Sequence, residues 1–165
     1  MLIYHPALDP YHCTFRMLQV LGYAPERQYD KRALRILDFY AVFPHLISNI
    51  RLRREHMKWR KRFLGLDNPY WFGGEPALVF AQMEPLQETA QNLLYAQGLT
   101  DPSLYPGSIK LVIDAFRRLT LPASTSMSGD LLEFLVTILG EFPFHGYGGL
   151  KDRTGLMEHR YDAAI

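Results

Sequence analysis

The sequence predicts a single, mainly α-helical domain that carries a small β-hairpin. Its 165 residues, of which 48% are hydrophobic and 21% charged, suit one globular domain with its own core. Several windows repeat apolar residues at helical spacing. One short window, SIKLVI, follows two proline turns and is typical of a strand.

The N-terminal part is expected to hold an irregular lead-in and two helices. Residues 1–22 comprise the lead-in and a short helix over Tyr11–Leu21, which Gly22 ends. Asp30 is a suitable N-cap for the next helix, KRALRILDFYAVF, whose apolar residues recur at i, i+3 and i+4 and are expected to be core. Pro44 disfavours helical geometry in the residue before it, so this helix is expected to end there.

Two further helices and the hairpin complete the expected core. The spacing predicts a helix over about residues 45–64, which Gly65 ends, and another over Pro85–Gln97, which Gly98 ends. The strand-like SIKLVI predicts a two-stranded flap after them. Three helices followed by such a flap are typical of a winged helix-turn-helix, here over residues 30–113.

Residues 114–165 are expected to add a C-terminal helix and an irregular tail to the single domain, 1–165. Ser126 or Ser128 is a candidate N-cap, and a strong apolar stripe then runs to Gly140. The tail that follows is rich in glycine and aromatic residues, which favours an irregular chain.

Composition indicates a cytoplasmic chain. The single cysteine, Cys13, excludes an intramolecular disulfide and indicates a reducing compartment. No apolar stretch approaches the roughly 18 residues of a membrane span. The N-terminus also lacks the basic and apolar regions of a signal peptide.

No catalytic or cofactor motif is recognisable. The N-terminal HPALDPYHC holds metal-binding residue types, but His12 and Cys13 are adjacent and no second ligand pair lies at zinc spacing. The tail sequence FHGYGGLKDRTG departs from a phosphate loop because Asp152 follows Lys151. We therefore expect no enzyme, no cofactor and no metal site; catalysis by Cys13 is kept as a minor alternative.

Positive charge is concentrated in one segment. The window Arg51–Arg62 holds seven Lys or Arg and one Glu, hence +6, whereas the other residues, 11 basic and 16 acidic, carry −5. On an α-helix five of these cations would share one arc and repel one another. An opposite, apolar arc with Met57 and Leu64 is expected to face the core.

Three interpretations of this charge are open. Contact with the phosphates of a duplex is the first, docking to an acidic protein surface the second, and a solvated helix face the third. Phosphate contacts position a protein without reading bases, so DNA binding would be sequence-independent. The candidate nucleic-acid-binding residues are Arg51, Arg53, Arg54, Lys58, Arg60, Lys61 and Arg62.

Aromatic residues make up 13% of the chain and cluster outside the core helix in NPYWFGG and EFPFHGYGG. Such clusters occur in cores and at interfaces alike. The candidate partner-binding residues are Tyr70, Trp71, Phe72, Phe144 and Tyr147.

Three stretches, MLIYHPALDPYHCTFRMLQVL, RALRILDFYAVFPHLISNIR and GYGGLKDRTGL, follow one another over most of the chain. Together they resemble the small middle-component proteins of bacterial ABC-three-component systems, to which Lamassu-type anti-phage defence belongs. The resemblance implies a non-catalytic, winged-helix-like subunit. Its implied partners are an SMC-like ABC ATPase and a third protein, often a nuclease effector.

Two main functions are therefore considered. The first is an adaptor that bridges the ATPase and the effector and turns a basic helix toward double-stranded DNA. The alternative is a stand-alone winged-helix transcription regulator, which should be a symmetric dimer reading two half-sites. Its candidate recognition helix, MEPLQETAQNLLYAQG, contains no Lys or Arg, which disfavours direct base readout.

Overall fold

The computed structural model describes residues 9–66, 68–69, 71, 73–123 and 126–158. The helices are α1 (Pro10–Tyr23), α2 (Lys31–Val42), α3 (Pro76–Ala96), α4 (Ile113–Arg117), α5 (Gly129–Glu133) and α6 (Leu150–Thr154). Two 3-10 stretches, Pro44–Asn49 and Arg54–Lys61, lie between α2 and α3, and a π-helical stretch, Phe134–Leu139, continues α5. Strands β1 (Gln28–Asp30) and β2 (Ser108–Lys110) pair antiparallel. The predicted mainly α domain with a small antiparallel sheet is confirmed.

Side-chain caps set where three of these helices begin. Asp9 caps α1. Asp30 caps α2 by accepting a hydrogen bond from the Arg32 amide at 2.8 Å, and Ser128 caps α5 by accepting one from the Leu131 amide at 3.3 Å. Each cap satisfies a backbone donor that helix geometry leaves without a partner. The caps at Asp30 and Ser128 are those that the sequence predicts.

The small sheet joins segments that are far apart in the chain. β1 precedes α2 and pairs with β2, which follows α3, so that Tyr29 lies opposite Ile109. A bridge between Thr100 and Leu111 brings the chain that leaves α3 alongside the end of β2. The flap predicted after α3 thus takes its main strand partner from before α2. This order of elements is compatible with a winged helix.

Helices α1, α2 and α3 pack around one core. Phe39 of α2 is fully buried, and its ring centroid lies 5.3 Å from that of Phe43 and 5.8 Å from that of Phe80 in α3. Because aromatic rings bury large areas and prefer tilted or edge contacts, this cluster fixes how α2 and α3 meet. The DFYAVF window is core, as predicted.

A buried polar network links the same three helices. Asp38 of α2 is 1% exposed and accepts hydrogen bonds from Arg16 Nε of α1 at 2.6 Å and from Gln87 Nε2 of α3 at 2.9 Å. Gln87 Oε1 in turn accepts from Arg35 Nε at 2.9 Å. Buried polar groups are costly without partners, so the network favours one relative placement of α1, α2 and α3.

Helix α3 is longer than the sequence predicts. It begins at Pro76 rather than at Pro85, which lies in its interior. An internal proline removes one backbone hydrogen bond and disfavours a helix. The side chains of Ala77, Phe80 and Met83 are nevertheless buried along the first half. Burial of this face outweighs the proline penalty, which a local pattern cannot show.

The prediction of a single helix over residues 45–64 is wrong. The two 3-10 stretches replace it, separated by the non-helical residues 50–53. Ile50, Trp59 and Phe63 are 1%, 7% and 2% exposed. One continuous α-helix would place Ile50 and Trp59 roughly 180° apart, so both could not reach the same core. The break between the stretches allows all three to be buried.

No helix in the described ranges is long and apolar enough to cross a membrane.

A candidate interface for nucleic acid and partner proteins

The basic segment Arg51–Arg62 lies on the surface as a non-helical link followed by the second 3-10 stretch. A 3-10 helix has about three residues per turn, so residues three apart lie in one row. The row of His56 and Trp59 faces the core, where the Trp59 ring lies 5.7 Å from that of Phe134. The other two rows face outward. The arc of cations predicted for an α-helix is therefore wrong, since the helical period differs.

Two cations of the segment form ion pairs with the C-terminal part of the chain. Arg51 donates a hydrogen bond to the carbonyl of Asp152 and pairs with its carboxylate at 3.3 Å. Arg62 pairs with the carboxylate of Asp130 at 2.6 Å. These contacts join the segment to α5 and α6 and offset part of its charge.

Two further cations also make contacts within the fold. Arg60 Nε donates to the Ser48 carbonyl at 2.8 Å, which holds the two 3-10 stretches together. The guanidinium of Arg53 lies 5.1 Å from the centroid of the Phe142 ring, a cation–π contact. Four of the seven predicted DNA-binding residues therefore have a structural role as well.

The other three cations are exposed. The side chains of Arg54, Lys58 and Lys61 make no ion pair or hydrogen bond with any residue that the structure describes. Lys58 also lines a depression that contains Asp130 and Glu133, whose carboxylates reduce the local positive potential. Within the described part of the chain, Arg54 and Lys61 are thus the cations whose charge is least offset.

A glycine-rich loop is attached to the start of the basic segment. Asp152 Oδ2 accepts from the Gly148 amide at 2.9 Å, and Arg153 donates to the Gly148 carbonyl. Arg153 Nη1 also donates to the carbonyl of Arg51 at 2.7 Å. The loop and the link before the 3-10 stretch therefore form one hydrogen-bonded unit.

The structure describes three of the five predicted partner-binding aromatic residues, and their environments differ. Tyr147 is completely exposed at the glycine-rich loop. Phe144 is 7% exposed and packs in the core, and Trp71 is half-buried with its ring 4.9 Å from that of Phe43. Tyr70 and Phe72 lie outside the described residues. Of the three members that the structure describes, Tyr147 is thus the best placed to meet a partner.

Cys13 is buried beside Asp38. Its Sγ lies 3.4 Å from Asp38 Oδ2, and burial, together with the charge of that carboxylate, raises the pKa of the thiol. A protonated, inaccessible thiol is a poor nucleophile. His12 pairs with Asp9 at 2.9 Å, and no group of three or more metal-binding side chains occurs among the residues described.

Sequence reasoning missed an apolar groove beside the basic segment. The groove, of about 300 Å³, is lined by Ser48, Met57, Arg60, Lys61 and Leu64. Met57 is 41% and Leu64 48% exposed, so the expectation that they face the core is wrong. The change from 3.6 to three residues per turn turns Met57 outward, and Leu64 lies in the turn that follows the 3-10 stretch. We call this feature the Met57 groove.

The chain matches the family model for the ABC-three component (ABC-3C) system Middle Component 5 over residues 2–162. Comparisons with curated proteins and with solved structures find no match. The resemblance to middle components that the sequence shows is thereby confirmed. Since the matched residues span almost the entire sequence, this protein belongs to the Middle Component 5 family of ABC-three component systems.

Proposed function

We propose that this protein is a non-catalytic adaptor of a Lamassu-type anti-phage defence complex in the cytoplasm. It would hold an SMC-like ABC ATPase and an effector, such as a nuclease, together and add positive charge toward double-stranded DNA. Membership of a middle-component family supports a role beside other subunits. The burial of Cys13 disfavours the alternative of an enzyme that uses this thiol.

The three exposed cations carry the proposal of a DNA contact. Arg54, Lys58 and Lys61 can approach phosphates without breaking a hydrogen bond or ion pair of the described fold. Lys and Arg that contact phosphates release condensed counterions and do so regardless of sequence. The contact we propose is therefore sequence-independent.

Helix α3 gives little support to the alternative of a transcription regulator. In a winged helix the third helix normally reads the major groove. The sequence of α3 contains no Lys or Arg, and Glu84 lies exposed on it. Direct readout relies largely on Arg and Lys, so DNA is expected at the basic segment instead.

Co-expression with the neighbouring ATPase and effector tests the adaptor role. We expect the three proteins to co-purify, and the ATPase and effector to separate when this chain is omitted. Co-purification of the ATPase with the effector in its absence would contradict bridging.

DNA binding by the purified chain tests the second part of the proposal. We expect two duplexes of unrelated sequence to bind equally well, with an affinity that falls steeply between a low and a high salt concentration. A clear preference for one sequence, or an affinity that salt leaves unchanged, would count against a phosphate contact.

A further inference from the structure

The Met57 groove exposes apolar side chains in the middle of a basic surface. It lies between the two outward rows of the 3-10 stretch, with Met57 and Arg60 in one row and Lys61 in the other. The hydrogen bond from Arg60 to the Ser48 carbonyl holds one wall of the groove in place. The groove is therefore part of the folded surface and does not depend on a single flexible side chain.

The apolar lining distinguishes this groove from a surface made for phosphates. Met57 and Leu64 leave 41% and 48% of their surface in solvent. A sugar–phosphate backbone would leave them largely uncovered, whereas a protein side chain would remove them from water. Methionine and arginine are also enriched at protein interfaces, where methionine adapts to different shapes.

The positive charge around the groove indicates which kind of protein segment would bind there. Lys61 lines the groove, and Arg54 precedes Met57 in the same row; neither is paired within the described chain. Cations that flank an apolar floor complement an apolar side chain flanked by carboxylates. Duplex DNA would complement the positive charge of these cations but would not cover the apolar side chains of the groove.

We propose that the Met57 groove binds an acidic segment of one of the partner subunits. One large apolar side chain of that segment lies between Met57 and Leu64, and its Asp or Glu residues face Lys61 and Arg54. The proposal rests on the adaptor function, because the complex supplies the partner that carries the segment.

The double variant Met57→Ser/Leu64→Ser tests the groove in the assembled complex. We expect it to retain about tenfold less of one partner subunit than the wild type during co-purification, since interface apolar anchors account for much of the binding energy. Tyr11→Ser/Leu119→Ser is the matched control, because it removes two exposed apolar side chains elsewhere on the surface. All four side chains are exposed, and circular dichroism with thermal unfolding verifies that both variants fold.

DNA binding separates the groove from the phosphate contact. The Met57→Ser/Leu64→Ser variant is expected to bind duplex with the affinity and salt dependence of the wild type. The Arg54→Gln/Lys61→Gln variant is expected to weaken both DNA binding and retention of the partner. Loss of DNA binding in the serine variant would overturn the separate role of the groove.

Overlapping synthetic peptides that cover the ATPase and the effector identify the segment. We expect the bound peptides to combine Asp or Glu with a large apolar residue and to lose binding to the serine variant. Equal retention of the partner by the wild type and the serine variant overturns the groove proposal and leaves the adaptor function intact. Failure of the wild type to co-purify with its partners overturns the adaptor function. Binding of basic peptides only, or of no peptide, overturns the proposal that the groove binds an acidic segment.

Discussion

At the scale of single residues, Asp38 shows how one buried carboxylate stabilises three helices. It accepts from Arg16 Nε at 2.6 Å and Gln87 Nε2 at 2.9 Å, and the Arg16 side chain is only 11% exposed. A buried pair contributes little net energy against an apolar replacement of the same shape. Removal of one partner is different, because the other charge then stays buried without compensation.

We therefore expect Asp38→Ala to lower the free energy of unfolding by about 3–5 kcal/mol. Urea denaturation monitored by circular dichroism measures this loss of unfolding free energy. Asp114→Ala is the control, since Asp114 is exposed and its replacement should change stability by no more than about 0.5 kcal/mol. Similar losses in the two variants would show that the network is not stabilising.

Asp30, the N-cap of α2, makes the stability of the protein depend on pH. Its carboxylate pairs with Arg32 Nη2 at 2.8 Å, and the hydrogen bonds from Arg32 lower the pKa of Asp30. A lowered folded-state pKa means that the stabilisation is present above the unfolded pKa of about 3.9 and is lost as pH falls through the folded value.

We expect Asp30→Asn to keep the cap but to lose less stability than the wild type when pH falls below about 4. Asp30→Ala should cost about 1 kcal/mol at neutral pH, because it removes the cap of α2. Urea denaturation at neutral and acidic pH measures both. An Asn variant with the pH dependence of the wild type would exclude Asp30 as the titrating group.

At the scale of elements, Gly149 sets the path of the glycine-rich loop. A Cβ at this position would lie 2.5 Å from the carbonyl oxygen of His145 and 2.7 Å from that of Pro143. Both are backbone atoms and cannot move aside as a side chain end would. The loop therefore has room only for glycine before α6.

We expect Gly149→Ala to destabilise the protein by about 1–3 kcal/mol, as overpacking does. Thermal unfolding measures this loss, and limited proteolysis shows whether the loop separates from the basic segment. Gly65→Ala is the matched control, because no atom of the described residues, its chain neighbours apart, lies within 4 Å of its added Cβ. If Gly65→Ala is as destabilising as Gly149→Ala, backbone crowding is not the cause.

The elements also show what a local pattern can predict. α2 and the start of α5 follow from caps and apolar spacing, which act within a few residues. The extension of α3 to Pro76 and the break before Arg54 depend on burial against other elements. β1 is three residues long and its partner lies beyond α3, so no local signal indicates it. The exposure of Met57 follows from the period of the 3-10 helix. The sequence pattern does not indicate it, because the break before this stretch also depends on burial against other elements.

At the scale of the whole molecule, the basic segment has two kinds of cation. Arg51, Arg53 and Arg62 contact Asp152, the Phe142 ring and Asp130. Arg54, Lys58 and Lys61 face solvent without such contacts in the described chain. Cations without an ion-pair or ring contact repel neighbouring cations. Arg54, Lys58 and Lys61 therefore slightly lower the stability of the fold. A polyanion or an acidic surface that binds there would offset this cost.

Two triple variants with the same change in net charge separate structure from function. Neutralising Arg54, Lys58 and Lys61 to Gln should leave the free energy of unfolding unchanged or slightly higher. It should also make the slope of log affinity for duplex against log salt shallower by about 2–3. Neutralising Arg51, Arg53 and Arg62 to Gln should instead lower stability by about 1–2 kcal/mol, because two ion pairs and two cation–π contacts are lost.

The comparison is decisive because the net charge is the same in both variants. A protein that binds DNA only through its overall charge would lose affinity equally in the two. A specific set of phosphate contacts from Arg54, Lys58 and Lys61 predicts a shallower salt slope with unchanged stability in the first variant. In the second, it predicts lower stability with most of the slope retained, since Arg54, Lys58 and Lys61 remain. If the first variant instead loses stability and keeps its slope, Arg54, Lys58 and Lys61 belong to the fold, and DNA must be bound by another surface or another subunit.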